Sequence, residues 1–127
     1  ALVVPVIKNV QDKNLIEVSE EFKMLVNKIH GQKITSEELT GGTFTISNMG
    51  MFKVDVMTPI LNSPEAAILS IGRTCKELVV EKDDTIKIKP MTTLSLTLDH
   101  AVLDGLPAAR FLETFMSIME NPLDYFN

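Results

Sequence analysis

The stretch LTLDHAVLDG, Leu96–Gly105, holds the groups best placed to do chemistry. It contains one of only two histidines in the chain, His100, with Asp99 before it and Asp104 four residues after it. An imidazole has an ordinary pKa near 6.5, so it is largely neutral at pH 7 and can accept a proton. Lining a channel, His100 could deprotonate a thiol, whose ordinary pKa is about 8.5. Gly105 lets the chain turn sharply after the histidine, and Asp104 is close enough in sequence to orient nearby groups. The alternative is structural: a satisfied histidine in a packed core, with Asp104 as a helix N-cap. A second candidate stretch is GGTFTISNMG. There Ser47 and Asn48 close a strand just before Gly50, and a serine hydroxyl at that place could donate to a developing oxyanion. Ser47 is less suited to be a nucleophile, because no G-x-S-x-G pattern surrounds it. The structural alternative is a plain Ser-Asn turn.

These residues need elements to hold them. Leu96–His100 ends an alternating run, MTTLSLTLDH. Its Leu94, Leu96 and Leu98 face one way and its Thr93, Ser95 and Thr97 the other, as in a strand. KELVVEKDDTIKIKP reads as a hairpin that turns at Asp83 and Asp84. EAAILSIGR, Glu65–Arg73, is almost continuously apolar, the pattern of a strand covered on both faces. TFTISN reads as a further strand after Gly41 and Gly42, and LVVPVI as a short one demoted by Pro5. Between them, MGMFKVDVMTPILNSP is apolar but broken by Gly50, Pro59 and Pro64. It reads as a structured loop with at most one short strand.

Two helices follow from period. Leu15, Val18, Phe22, Leu25, Val26 and Ile29 form one stripe from Asn14 to about Ile29. Asn14 and Glu17 are spaced as a capping box, and His30-Gly31 reads as the stop. The second histidine, His30, is best explained by a last-turn position that suits the helix dipole. A single turn is expected at Ser36–Leu39. The final helix runs from about Pro107 to Met119, with Phe111, Leu112, Phe115, Ile118 and Met119 as its apolar stripe and Asn121-Pro122 closing it. The fold class is α+β: mostly antiparallel or mixed strands with two helices on one side.

Composition narrows the function classes. The 127 residues suit one domain, and with 45% hydrophobic and 23% charged residues the chain reads as globular and soluble. A net charge of -5 without a basic stripe argues against nucleic acid. No apolar run reaches membrane length, and no signal peptide is visible. One cysteine, Cys75, forms no internal disulfide, and with two distant histidines it argues against a metal site. The opening LVVPVI, without Met, cap or linker, reads as the start of a fragment.

Taken together, GGTFTISNMGMF, TPILNSPEAAILSIGR and LSLTLDHAVLDGLPAARFL closely resemble the catalytic domain of the dihydrolipoyl acyltransferase components of 2-oxo acid dehydrogenase complexes. The resemblance runs from LVVPVI to ENPLDYF, with both motifs in the right order and His100 lying 53 residues after Ser47. Ala101 departs from the arginine usual after the histidine. At that point the chain is similar to the chloramphenicol acetyltransferases, which carry His-Ala-Val before an Asp-Gly pair. Such catalytic domains are about twice this length, so residues 1–127 are expected to be the C-terminal half, without lipoyl or peripheral-subunit-binding domains.

The resemblance implies a chloramphenicol-acetyltransferase-like fold and acyl transfer, acetyl favoured, between dihydrolipoyl-lysine and coenzyme A. It implies His100 as general base and Ser47 as oxyanion donor, while Asp104 holds the turn and the local charge balance. Coenzyme A is then a substrate, the lipoyl group rides on a separate domain, and no metal is expected. The implied partners are two further copies in a homotrimer that builds a larger core, and the dehydrogenase and dihydrolipoyl dehydrogenase components. Neither nucleic acid nor membrane is expected as a partner. The compartment would be the bacterial or archaeal cytoplasm or the mitochondrial matrix, and the protein would not be secreted. Two other readings are a non-catalytic oligomerising core fragment and a small-molecule O-acetyltransferase. GGTFTISNMG weighs against the second.

Overall fold

A computed structural model describes residues 2–126. Its chain divides into two compact units: residues 2–42 with 118–126, and Thr43–Ser117.

The first unit is built on α1, Leu15–His30. Asn14 starts it with a full capping box: its side-chain oxygen accepts from the Glu17 N–H at 2.9 Å, and Glu17 accepts from the Asn14 N–H at 2.7 Å. Leu25 is the buried centre of the expected stripe, but Leu15 and Phe22 on the same stripe are mostly exposed. LVVPVI forms no strand; it is extended chain held by the Val6 N–H donating to the Glu38 carbonyl at 2.8 Å. Glu38 lies in the 3-10 turn Glu37–Leu39 and pairs with Lys28 of α1. Lys28 and the Thr35 N–H together hold the Glu38 carboxyl at about 2, well below the usual range. His30 is exposed in the last turn of α1 beside Lys28, as the helix-end reading expects.

The second unit is a three-stranded mixed sheet, ordered β1-β2-β3: β1 Thr45–Asn48, β2 Ala67–Val80 and β3 Ile86–Leu98. β1 runs parallel to β2, and β2 antiparallel to β3. The sequence suggests two separate strands on each side of the Asp83-Asp84 turn. Instead β2 and β3 each run through, and an irregularity between Ile71 and Thr74 takes up the change of pattern. Pro90 sits inside β3 without ending it. Its missing N–H is tolerable because β3 is an edge strand of this sheet. As the central strand, β2 is buried from Ala67 to Ser70, which explains its continuous apolar run. The turn closes with the Glu81 N–H donating to the Thr85 carbonyl and the Asp83 carboxylate accepting from the Thr85 hydroxyl.

The 49–64 loop contains no strand, yet it is fixed to β2. The Arg73 N–H donates to the Val54 carbonyl at 2.9 Å, and the Arg73 side chain pairs with Asp55. The reason lies at Gly72, where a Cβ would stand 2.0 Å from the Asp55 carbonyl oxygen. Only glycine permits this approach. After β3 the chain turns into α2, Gly105–Glu120, whose Phe111 ring meets Phe44 at 5.7 Å and Phe115 at 6.2 Å.

The accessible surface is 10055 Å². A compact 14.1 kDa chain exposes roughly 6,700 Å². Even two separate globules of about 50 and 75 residues would expose only about 8,100 Å² together. The excess therefore belongs to the surfaces of the units themselves, whatever their mutual placement.

Two tests follow from these contacts. In a strand, Gly→Ala ordinarily gains stability. At Gly72 the clash reverses the sign, so Gly72→Ala should lose ~1–3 kcal/mol in urea unfolding, and a variant as stable as the parent would contradict the close approach. The depressed Glu38 carboxyl stabilises the fold fully above its unfolded pKa of about 4.3. That contribution is lost as pH falls through about 2. Unfolding midpoints of the parent and of Glu38→Gln should differ at pH 6 and converge toward pH 2. A constant gap would contradict the assignment.

Candidate active site

The sheet register places Ser47 first. It pairs with Ser70 of β2, which pairs with Ser95 of β3, so three serines form one row across the sheet. Ser70 is buried and Ser47 partly so. Directly after Ser47, the Asn48 side chain turns the chain by accepting from the Gly50 N–H at 2.8 Å. The Met49 N–H donates to the Ile71 carbonyl at 2.9 Å and extends the pairing beyond Asn48. The Ser-Asn turn and the placed hydroxyl are therefore both present.

His100 sits at the opposite end of the pairing, on an exposed turn just beyond β3. Asp99 builds that turn. Its N–H donates to the Ala66 carbonyl at 2.8 Å, which anchors it beside the start of β2. Its carboxylate accepts from the Ala101 N–H at 2.9 Å, and its carbonyl accepts from the Val102 and Leu103 N–H groups at 3.0 Å each. Every residue from Ala101 to Leu103 is thus tied back to Asp99, and His100 is carried at the crest. Sequence reasoning passed over Asp99, treating it as a nearby carboxylate. The signal was there: an aspartate directly after a strand, followed by short-range turn residues, is the pattern of a side-chain-capped turn.

Asp104 is exposed and immediately precedes α2. Its main-chain carbonyl accepts from the Ala108 N–H at 3.5 Å. Within this chain His100 is exposed, not packed into a core.

The register also separates the two candidates within one chain. Four residue steps separate Ala66, which the Asp99 N–H reaches, from Ser70, about 13 Å at ~3.3 Å each. Two strand spacings of ~4.8 Å lie across the sheet. The backbones of Ser47 and Asp99 are therefore about 16 Å apart. Strand side chains stand roughly perpendicular to their sheet, so Ser47 does not reach along it toward His100. His100, Asp99 and Asp104 form one local group, and Ser47 stands apart from it.

The 2-oxoacid dehydrogenases acyltransferase catalytic-domain model matches residues 1–127. Among curated relatives, the acetyltransferase component of the pyruvate dehydrogenase complex of Rickettsia felis is 40% identical over 121 residues, 95% of this chain and 29% of its own length. The mitochondrial succinyltransferase component of the 2-oxoglutarate dehydrogenase complex of Saccharomyces cerevisiae is 41% identical over 121 residues, 95% of this chain and 26% of its own. Among solved structures, the dihydrolipoamide acetyltransferase of Azotobacter vinelandii superposes with a TM-score of 0.89 at 33% identity. It covers 95% of this chain and 49% of its own. That work concerns the role of one serine, one histidine and one asparagine in its catalytic mechanism. The serine precedes the histidine by 52 positions and the asparagine follows it by 4. The corresponding intervals here are 53, from Ser47 to His100, and 4, from His100 to Asp104. The cubic core of a pyruvate dehydrogenase multienzyme complex matches with a TM-score of 0.89 at 34% identity, covering 95% of this chain and 49% of its own. The chain thus spans under a third of the curated relatives it matches and about half of the solved chains. Its fold is the chloramphenicol-acetyltransferase-like one of these catalytic cores. With the family model matched over its full length, this chain belongs to the catalytic-domain family of the 2-oxoacid dehydrogenase acyltransferases.

Proposed function

We propose that the chain supplies catalytic groups for acyl transfer between a dihydrolipoyl thioester and coenzyme A. The observation that carries this reading is the Asp99-built turn, which holds an exposed imidazole beside the buried start of the central strand, four residues before Asp104. His100 takes the proton from the coenzyme A thiol, and the thiolate attacks the thioester carbonyl. The Ser47 hydroxyl donates to the resulting oxyanion. Collapse breaks the bond to the dihydrolipoyl sulfur, which recovers the proton from His100. Asp104 holds the turn into α2 rather than moving protons. The lipoyl group arrives on another domain, and no step needs a metal.

Because the backbones of Ser47 and Asp99, the residue before His100, lie about 16 Å apart within one chain, the reading places each site between copies. A general base must lie within hydrogen-bond reach of its proton, and an oxyanion donor about 3 Å from the carbonyl oxygen. A homotrimer, in which Ser47 of one copy meets the neighbour's His100, satisfies both. The larger core and the dehydrogenase and dihydrolipoyl dehydrogenase partners extend the same reading. The compartment follows the source, bacterial cytoplasm or mitochondrial matrix. Acetyl is favoured by the similarity to the acetyltransferases of Rickettsia felis and Azotobacter vinelandii.

The test is acyl transfer from acetyl-coenzyme A to dihydrolipoamide. His100→Ala should cost ~10²–10⁴-fold, and Ser47→Ala ~10²–10³-fold in kcat with little change in KM. Co-refolding the two inactive variants should restore part of the activity, since some interfaces then pair a wild-type His100 with a wild-type Ser47. Mixed assemblies no more active than either parent would sink the shared site. A chain that associates without turnover would favour the oligomerising-fragment reading. Asp99 is a positioning residue, and its signature differs. Asp99→Ala should lower kcat and leave the coenzyme A KM near that of the parent, while Asp99→Asn, which keeps the acceptor oxygen, should restore most of kcat. Equal loss in both variants would assign the effect to charge instead of the turn.

A further inference from the structure

Glu65 stands where three pieces of the second unit meet. It follows the 49–64 loop and lies two residues before β2. Its N–H donates to the Asn62 carbonyl at 2.9 Å, and its carboxylate accepts from the Asn62 side-chain amide at 3.4 Å. The other carboxylate oxygen accepts from the hydroxyl of Thr45, the first residue of β1. The next residue, Ala66, offers the carbonyl that anchors Asp99. One carboxylate therefore sits between the strand that carries Ser47 and the anchor of the turn that carries His100. Glu65 and Thr45 are both partly buried. A carboxylate drawn out of water is costly unless its oxygens are satisfied. None of the ion pairs among the described residues includes Glu65, so its oxygens are met by a hydroxyl and an amide. A hydrogen bond to a carboxylate is roughly twice as strong as one between neutral groups.

The strand β1 needs such a tie. It has four residues, fewer than the usual ~5–6, and bonds to β2 alone among the described residues. A parallel pair also lacks the tight turn that fixes register in a hairpin. Downstream, the Met49 N–H on the Ile71 carbonyl holds the strand. Upstream, the Thr45–Glu65 bond does so. Thr45 and Ser47 are two residues apart and share one face of β1. Fixing the Thr45 side chain fixes the rotation of the strand, and with it the direction in which Ser47 points.

We propose that Glu65 is a positioning residue for acyl transfer, aiming the Ser47 hydroxyl through its bond to Thr45. The inference rests on the acyl-transfer reading and deepens it. An oxyanion donor is useful only at about 3 Å from the developing charge, and a misplacement of ~1 Å can cost ~10²-fold. The effect of Glu65 on rate runs through Ser47. It therefore cannot exceed the effect of removing the Ser47 hydroxyl itself.

The test is made in the assembled protein. Glu65→Ala should lower kcat ~10–10²-fold and leave the coenzyme A KM near that of the parent. Thr45→Val, which keeps the shape and removes the hydroxyl, should reproduce the loss, and Thr45→Ser should recover most of it. A double-mutant cycle separates aim from mere folding. In a Ser47→Ala background, Glu65→Ala should cost less than ~2-fold more in kcat. Losses that multiply would assign Glu65 to the fold or to the His100 turn and overturn the proposal. Hydrogen exchange supplies a readout apart from catalysis. In Glu65→Ala and in Thr45→Val, the amides of β1 should exchange at least ~10-fold faster while those of β3 keep the parent rates. Unchanged exchange in β1 would overturn the clamp even if kcat fell. A Ser47→Ala variant as fast as the parent would overturn the oxyanion reading itself, and the exchange rates would still decide whether Glu65 holds β1.

Discussion

Burial of one strand governs the second unit. From Ala67 to Ser70, β2 is closed off from solvent, with β1 bonded along one edge and β3 along the other. A buried backbone group without a partner costs on the order of a lost hydrogen bond, so the register on both sides is tightly specified. Both candidate groups inherit their positions from it. Ser47 is set by its pairing with Ser70, and the histidine turn by the link from Asp99 to Ala66. A one-residue slip of β1 would move Ser47 to the other face of the sheet. A slip of β3 would displace the anchor of the turn that carries His100.

The same strand also determines which surface is left uncovered. Where β2 is central it needs no further partner. Where it runs on past the irregularity, it has β3 alone among the described residues, and the double cover that buries Ala67–Ser70 is gone, leaving Leu78 and Val80 in water. The exposed apolar side chains of the 49–64 loop have a related origin. Gly72 draws the Asp55 main chain against β2, and the apolar side chains flanking that contact are turned away from it. An accessible surface well above that of compact globules follows from these arrangements.

Much of this was legible in the residues. The Asn14–Glu17 capping box, the Asp83-Asp84 turn and the doubly covered run before Arg73 each carry a local signal, and each is present in the structure. The signal failed where the deciding contact is distant in sequence. LVVPVI has strand composition, but its main-chain partner is the Glu38 turn instead of another strand. Leu15 and Phe22 keep helical period with Leu25, yet they are exposed, because period says which residues share a face and not what covers it. The site shows the same limit. His100, Asp104 and Ser47 stand out by residue type and motif. Asp99 acts by tying main-chain N–H groups of its own turn to its carboxylate and carbonyl, a role that a search for reactive side chains does not weigh. The separation of Ser47 from His100 depends on register, which becomes countable once the strands are paired.

The turn at Asp83 and Asp84 also imposes an order of events. It joins β2 and β3 through a short connection, whereas the parallel pairing of β1 with β2 needs the long excursion through the 49–64 loop. Local pairings close first, because the entropy of closing a loop rises with its length. The ribbon therefore zips from its tip toward Ala67 and Leu98, and the last rung to close is the one beside Asp99. The crest bearing His100 is finished only when the whole ladder is in register. The imidazole geometry at His100 is thus set late within the ribbon, and the β1–β2 pairing that fixes Ser47, which must close the longer loop, is set later still.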